Sequence, residues 1–199
     1  MCVIAISGRG ARQPSIAELR AMFYHKPHGA GYMLARAGRV EIHKGFMDFE
    51  SFRYAVLSER FTKSDPVVYH FRISTQAGVN PEMTQPFPLT SRPKITKALD
   101  VLCSVGIAHN GIIPITTDHT QTEYSDTALF ITGYLAGMIR GTGDIAIPEL
   151  QSEIESMIGW SRLAIMDGTG EIATIGKFTE HNGILLSNLN HIHTKSWKF

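Results

Sequence analysis

The segment Pro66-Val67-Val68-Tyr69-His70-Phe71-Arg72-Ile73 is the clearest strand in the sequence. Successive side chains of a strand point to opposite faces, so its residues divide into two sets. The apolar set is Val67, Tyr69, Phe71 and Ile73, and the mixed set is Val68, His70 and Arg72. The apolar face predicts burial in a core. The mixed face predicts either a solvent-exposed face or the floor of a functional site.

Further strands and helices flank this segment in groups. Alternating or β-branched runs predict strands at 3–7, 32–35, 39–43, 105–108, 162–166, 171–175 and 183–187. Capping residues predict helices that begin after Ser15, Asp48 and Ser125 and at Pro148, the first ending at 29–31. Because strands and helices cluster rather than alternate, we expect one α+β domain over residues 1–199, with largely antiparallel sheets.

The composition excludes several classes of protein. Hydrophobic residues make up 43% of the 199 residues and charged residues 19%, which excludes disordered and fibrous chains. Nineteen Lys and Arg against eighteen Asp and Glu give a net charge of +1, so neither a nucleic acid nor a membrane surface is expected as a partner. Two cysteines exclude a disulfide scaffold, and no signal peptide or membrane helix is recognisable. We therefore expect a cytoplasmic protein.

Cys2 is the first residue with a chemical role to consider. If Met1 is removed, a thiol and an α-amine lie on the same residue. The amine has a reference pKa of about 7.7–8.0, which suits a general base for the thiol. The alternative is an ordinary small residue packed on an edge strand.

Three further motifs carry polar groups that a substrate could use. Arg72 could bind a carboxylate through its two-pronged guanidinium, or form a surface salt bridge. Asn110 and Gly111 could supply an oxyanion hole, or a tight turn. Asp126 could receive an ammonium group, or cap a helix. The histidines, including the pair at 191 and 193, lack a third ligand at suitable spacing, so no metal site is expected.

The joint order of these motifs is more specific than any one of them. Cys2 is followed by His70-Phe71-Arg72, His109-Asn110-Gly111 and Ser125-Asp126-Thr127, and this order resembles the class II glutamine amidotransferases, members of the N-terminal nucleophile hydrolase superfamily. The similarity is closest to the short, free-standing type of bacteriophages and prophages, and it covers nearly the whole chain. The resemblance implies an α+β fold, a four-layer α-β-β-α sandwich of two largely antiparallel sheets.

The resemblance also implies roles for individual residues. Cys2 would attack the side-chain amide of glutamine, with its own amine as the base, and Asn110 and Gly111 would stabilise the oxyanion. The substrate contacts would be Arg72 for the α-carboxylate, Asp126 for the α-ammonium, and Ile73, Thr75 and Gln76 along the pocket. Glutamate and ammonia would form without a metal or organic cofactor. We expect no attached acceptor-modifying domain, so either a separate synthase subunit takes the ammonia or the protein is a plain glutaminase.

Four positions depart from the family pattern. His28 stands where an aspartate is common, Gln76 and Gln85 where histidines are common, and Met83 where an asparagine is common. Because of these four residues, the resemblance does not predict how the loops pack or how tightly glutamine binds. Two other functions also remain: hydrolysis of a different amide, and a catalytically inactive module that binds glutamine or docks a partner.

Overall fold

The computed structural model describes residues 1–74, 78–114, 123–142 and 144–192. Eleven strands of this part of the chain are β1 (Val3–Ser7), β2 (Ala30–Arg36), β3 (Arg39–Phe46), β4 (Val67–Phe71), β5 (Phe87–Pro88), β6 (Asp100–Cys103), β7 (Val105–Asn110), β8 (Arg162–Asp167), β9 (Ile172–Ile175), β10 (Thr179–His181) and β11 (Ile184–Leu186). The helices are α1 (Ile16–His25), α2 (Phe49–Glu59), α3 (Pro93–Thr96), α4 (Asp126–Phe130), α5 (Ala136–Thr142) and α6 (Pro148–Ile158). A 3₁₀ turn spans Pro81–Met83, and a π-helical segment, Ile131–Leu135, joins α4 to α5. None of the helices described has both the length and the apolar character needed to cross a membrane.

The strands form two antiparallel sheets. The larger has the order β10-β11-β1-β4-β2-β3-β6, and the smaller has the order β5-β7-β8-β9. The predicted strand at 66–73 is β4, which lies between β1 and β2 near the middle of the larger sheet. Val68, His70 and Arg72 on its mixed face are all buried. The expectation of a solvent-exposed face is therefore wrong, because this face packs against the second sheet.

Three apolar clusters separate the layers. The first lies between α1, α2 and the larger sheet, and includes Leu19, Phe23, Phe52, Tyr69 and Phe71. The second lies between the two sheets, and includes Ile4, Met33, Val68, Ala108 and Met166. The third lies between the smaller sheet and α4–α6, and includes Ile107, Phe130, Leu135, Ile154 and Leu163. The expected four-layer α-β-β-α sandwich is confirmed.

Local sequence explains where the first two helices begin. Ser15 accepts a hydrogen bond from the backbone N–H of Glu18, and the Glu18 carboxylate accepts one from the backbone N–H of Ser15 at 2.7 Å. This reciprocal pair forms the predicted capping box. Asp48 caps α2, because its Oδ1 accepts a hydrogen bond from the backbone N–H of Ser51 at 2.8 Å. Both helices thus start where the sequence predicts.

The predicted end of α1 is wrong. The helix stops at His25, and Ala30 and Gly31 belong to β2. A Cβ atom on Gly31 would lie 2.5 Å from the carbonyl oxygen of Gln85 and 2.6 Å from Cβ of Lys44. This glycine therefore permits close packing of a strand rather than the end of a helix.

Candidate active site

A small pocket opens where β1 begins and where β4 and β7 end, beside the start of α4. Its lining residues are Met1, Cys2, Arg72, Ile73, Gln85, His109, Gly111, Ile112, Ser125, Asp126 and Thr127. The cavity measures about 60 Å³. Ligand pockets commonly measure roughly 300–1,000 Å³, so this one is small for a ligand pocket, and Met1 forms part of its wall.

Cys2 lies directly before β1, and its thiol faces the backbone that follows β4. The backbone N–H of Ile73 donates to Cys2 Sγ at 3.5 Å, and Sγ lies 3.7 Å from the carbonyl oxygen of Ile73. Burial raises the pKa of the thiol, while the Ile73 N–H and the positive charges of the N-terminus and Arg72 act to lower that pKa. The carbonyl oxygen of Cys2 accepts a hydrogen bond from Asn188 Nδ2 at 2.7 Å, which fixes the start of the strand.

Arg72 is buried at the end of β4, on the same rim of the pocket. Its guanidinium donates to the carbonyl oxygen of Gly78 at 2.8 Å and to Ser74 Oγ at 3.1 Å. The backbone N–H of Ser74 donates in turn to His28 Nδ1 at 2.9 Å. Arg72 thus braces the loop beside the pocket, and His28 supplies the acceptor for that loop.

Asp126 lies at the first turn of α4, after Ser125 has capped the helix. Its Oδ2 accepts the backbone N–H of Ile113 at 2.8 Å, and its Oδ1 accepts that of Thr127 at 2.7 Å. Thr127 Oγ1 also donates to Oδ1 at 3.3 Å. A carboxylate offers about four acceptor positions, so one remains for another donor. The negative charge of Asp126 and the positive charge of Arg72 therefore line the same pocket as the Cys2 thiol.

A buried polar network joins the two sheets beneath the pocket. His70 Nε2 donates to the carbonyl oxygen of His109 at 3.0 Å, and His109 Nδ1 lies 2.7 Å from Thr127 Oγ1. Gln85 Oε1 accepts the backbone N–H of His109 at 2.7 Å. Burial lowers the pKa of His70 to about 3 and that of His109 to about 4, so both imidazoles are neutral at pH 7.

Asn110 and Gly111 follow His109 at the end of β7. Asn110 is fully buried, and its Nδ2 is placed 2.8 Å from Ser187 Oγ, while Gly111 lines the pocket. Gly111 has a φ of +151°, and a Cβ atom there would overlap the Ser161 side chain. Asn110 is the last residue of strand β7, so the alternative interpretation of Asn-Gly as a tight turn is wrong.

The structure brings together five of the eight residues predicted for the site. Cys2, Arg72, Ile73, Gly111 and Asp126 line the pocket, and Asn110 lies directly beside it. The predicted pocket residues Thr75 and Gln76 lie outside the described residues. In the described ranges, no group of three or more His, Cys, Asp or Glu side chains could hold a metal ion.

Ser187 and Asn188 were not predicted from the sequence to lie at the site. They lie 183 and 186 residues from the backbone groups of Ile4 and Cys2 that they contact. No local motif connects such distant positions. The predicted strand at 183–187 was the one feature of the sequence that could have identified them. This strand pairs antiparallel with β1, so the residues that follow it lie beside Cys2.

Comparison with solved structures identifies a shared fold. The structure of glutamine phosphoribosylpyrophosphate (PRPP) amidotransferase from B. subtilis, complexed with ADP and GMP, matches with a TM-score of 0.57 and 20% sequence identity. The match covers 94% of this chain and 41% of that chain. A structure described as the allosteric regulatory enzyme of purine biosynthesis matches with a TM-score of 0.48 and 19% identity, over 84% of this chain and 36% of that chain. No protein-family model and no curated protein sequence matches the chain.

At this level of identity, the likeness to the PRPP amidotransferase shows the fold alone. This chain spans less than half of the length of that enzyme. In this chain, the matched part consists of two antiparallel sheets enclosed between helices. The chain therefore has the α+β fold of the N-terminal nucleophile hydrolases.

Proposed function

We propose that this protein hydrolyses the side-chain amide of glutamine to glutamate and ammonia. The observation that carries the proposal is the convergence of Cys2, Arg72, Asp126 and Gly111 on one pocket. Two opposite charges suit the carboxylate and the ammonium of a free amino acid, and a thiol in the same pocket suits attack on its side chain. The fold shared with an enzyme whose name includes glutamine and amidotransferase supports the same reaction class.

The proposed reaction proceeds through a thioester. The Cys2 sulfur attacks the side-chain carbonyl carbon, and the thiol proton passes to the α-amine of Cys2. Gly111 N–H and the Asn110 amide stabilise the oxyanion, and the resulting ammonium group protonates the departing ammonia. Water then cleaves the thioester, which releases glutamate and regenerates the thiol. Neither step requires a cofactor.

Substrate recognition divides between the two charged residues. Arg72 binds the α-carboxylate and Asp126 binds the α-ammonium, with Ile73, Thr75 and Gln76 along the wall. The proposal includes two further statements. The protein is of the short, free-standing type of bacteriophages and prophages, and it acts in the cytoplasm. A separate synthase subunit would accept the ammonia.

Removal of Met1 is the step that activates the proposed site. In the chain that retains Met1, the nitrogen of Cys2 is an amide and cannot accept a proton near neutral pH. Met1 also forms part of the pocket wall. Removal would therefore supply the base and enlarge the cavity at the same time.

The experiment compares glutamate release by chains that begin at Met1 and at Cys2. A protease-cleavable N-terminal fusion provides both forms from one preparation. We expect cleavage before Cys2 to raise the rate by about 10²–10⁴-fold, which is the usual contribution of a general base. Full activity of the uncleaved fusion would contradict the proposed mechanism.

Cys103 provides the matched control for the nucleophile. It is buried, its thiol donates to the carbonyl oxygen of Val105 at 3.2 Å, and burial raises its pKa to about 11. Cys2→Ala should abolish ammonia release, whereas Cys103→Ala should retain most of it. Binding of glutamine without hydrolysis by the Cys2-first chain would instead favour an inactive glutamine-binding module, and hydrolysis of other amides alone would favour a different hydrolase.

A further inference from the structure

When Asn110 Nδ2 faces Ser187, two polar groups lack a hydrogen-bond partner. Asn110 Nδ2 donates to Ser187 Oγ at 2.8 Å, and the backbone N–H of Ile4 donates to the same oxygen at 2.9 Å. Asn110 Oδ1 is buried without a partner, and none of the described residues accepts the hydroxyl proton of Ser187. A buried polar group that lacks its hydrogen bond costs about 1–3 kcal/mol.

Rotation of the amide by 180° pairs both Oδ1 and the hydroxyl proton of Ser187, and leaves the buried Nδ2 as the end of the amide without a partner. The two ends of an amide have nearly the same shape, so hydrogen bonding decides which end faces Ser187. With Oδ1 toward Ser187, the hydroxyl donates its proton to Asn110 and still accepts the backbone N–H of Ile4. Asn110 Nδ2 then becomes the free end of the amide. The rotated form satisfies every group that the other form leaves unpaired at Ser187.

We propose that Ser187 is a positioning residue that holds Asn110 Oδ1 and thereby frees Asn110 Nδ2 to stabilise the oxyanion. The catalytic consequence rests on the proposed function, since it requires an oxyanion, whereas the orientation of the amide does not. In the opposite orientation, one of the two Nδ2 hydrogens is directed at Ser187, and Oδ1, which is an acceptor, occupies the free arm of the amide. Ser187 is thus the group that decides whether the donor is available.

The backbone around Ser187 explains why it can hold this position. Its N–H donates to the carbonyl oxygen of Ile4 at 3.0 Å, so the residue is tied to β1 by its backbone and its side chain together. The next residue, Asn188, binds the carbonyl oxygen of Cys2 at 2.7 Å. Two consecutive residues therefore fix the oxyanion donor and the nucleophile relative to each other, which is the geometric requirement for an efficient reaction.

Neutron diffraction on deuterium-exchanged crystals tests the orientation directly. We expect the deuterons of the Asn110 amide on the arm that faces away from Ser187, and the Ser187 hydroxyl deuteron directed at Oδ1. Deuterons on the arm that faces Ser187 would overturn the proposal. This measurement requires no activity, so it remains decisive if the Cys2-first protein does not hydrolyse glutamine and the proposed function fails.

A double-mutant cycle in Cys2-first protein tests the catalytic consequence. Ser187→Ala should lower kcat by up to about 10²-fold with little change in KM, because the donor is misplaced rather than the substrate. In the Asn110→Ala background, the same substitution should change kcat by less than about twofold, since nothing remains to position. Ser187→Thr keeps the hydroxyl and should retain most of the rate.

Urea unfolding of all variants separates positioning from a general loss of structure. An equal loss of kcat in both backgrounds, or a loss that follows stability alone, would overturn the positioning role. An unaltered kcat in a folded, active Ser187→Ala protein would do the same, and would leave the proposed function standing.

Discussion

Asp126 is the residue at which a structural and a functional explanation meet. Its two oxygens accept backbone N–H groups from Ile113 and Thr127, as a helix-terminal carboxylate often does. It also lines the pocket with Cys2 and Arg72. A substitution that only disturbed the backbone would weaken the binding of every ligand. Loss of a contact to the ammonium group would weaken the binding only of ligands that have an amine.

Asp126→Asn is predicted to weaken glutamine binding by about 1–3 kcal/mol, because a neutral amide replaces the charged partner of the ammonium group. The measurement is the KM for glutamine in Cys2-first protein. The control ligand is glutaramate, which has the carboxylate and the amide of glutamine but no amine. Its competitive inhibition constant should change little, and an equal loss for both ligands would assign Asp126 a purely structural role.

Two of the departures from the family pattern have a clear structural explanation. His28 Nδ1 accepts the backbone N–H of Ser74, and Gln85 Oε1 accepts the backbone N–H of His109. Both residues thus supply an acceptor to a buried or partly buried backbone donor. The sequence identified these positions but not their partners, which lie 46 and 24 residues away, because no short-range pattern encodes such pairs.

At the scale of elements, the spacing of the two sheets depends on Gly106 in β7. A Cβ atom at this position would lie 2.5 Å from Met33 Sδ and 3.0 Å from Val40 Cγ1 on the opposing sheet. The sequence pattern predicted the strand that contains Gly106. The close contact between Gly106 and the other sheet could not be predicted, because a pattern within one strand does not show which residues of another sheet pack against it. The same limit explains why the short strands β5 and β10 had no recognisable pattern.

Gly106→Ala should destabilise the protein by about 1–3 kcal/mol, because the added methyl group forces the sheets or their side chains apart. Urea unfolding provides the measurement. Gly137→Ala is the matched control: Gly137 lies in α5 with no atom within 4 Å of the added Cβ, so the change should stabilise by up to about 1 kcal/mol. Equal midpoints for Gly106→Ala and the unmodified protein would show that the interface adapts without cost.

At the scale of the whole molecule, two neutral histidines lie in the interior between the sheets and α4. His70 is fully buried and His109 almost fully, and burial lowers the pKa of each well below its usual value of 6.5. Unfolding exposes both imidazoles to water. At a pH between their folded and unfolded pKa values, the unfolded chain therefore binds protons that the folded chain does not, and folding stability depends on pH.

The free energy of unfolding should fall as the pH is lowered from about 6.5 to about 4, by about 1.4 kcal/mol per pH unit for each histidine. About one pH unit above 6.5 both states are essentially neutral at these positions, so this contribution becomes constant. Urea titrations at pH 7 and pH 5 measure the change. His70→Gln keeps a donor for the His109 carbonyl and should make the pH dependence shallower; an unaltered slope would assign the acid sensitivity to other groups.

The pairing of β1 with β11 also governs the order in which the molecule can be completed during synthesis. Ser187, which accepts the backbone N–H of Ile4, is synthesised 183 residues after Ile4. Throughout that interval one edge of β1 has no partner strand, and an unpaired edge is open to aggregation. The braces on Cys2 and Asn110 arrive with β11 and the residues that follow it. A nascent chain therefore carries the Cys2 thiol on an incomplete sheet until translation has passed residue 188.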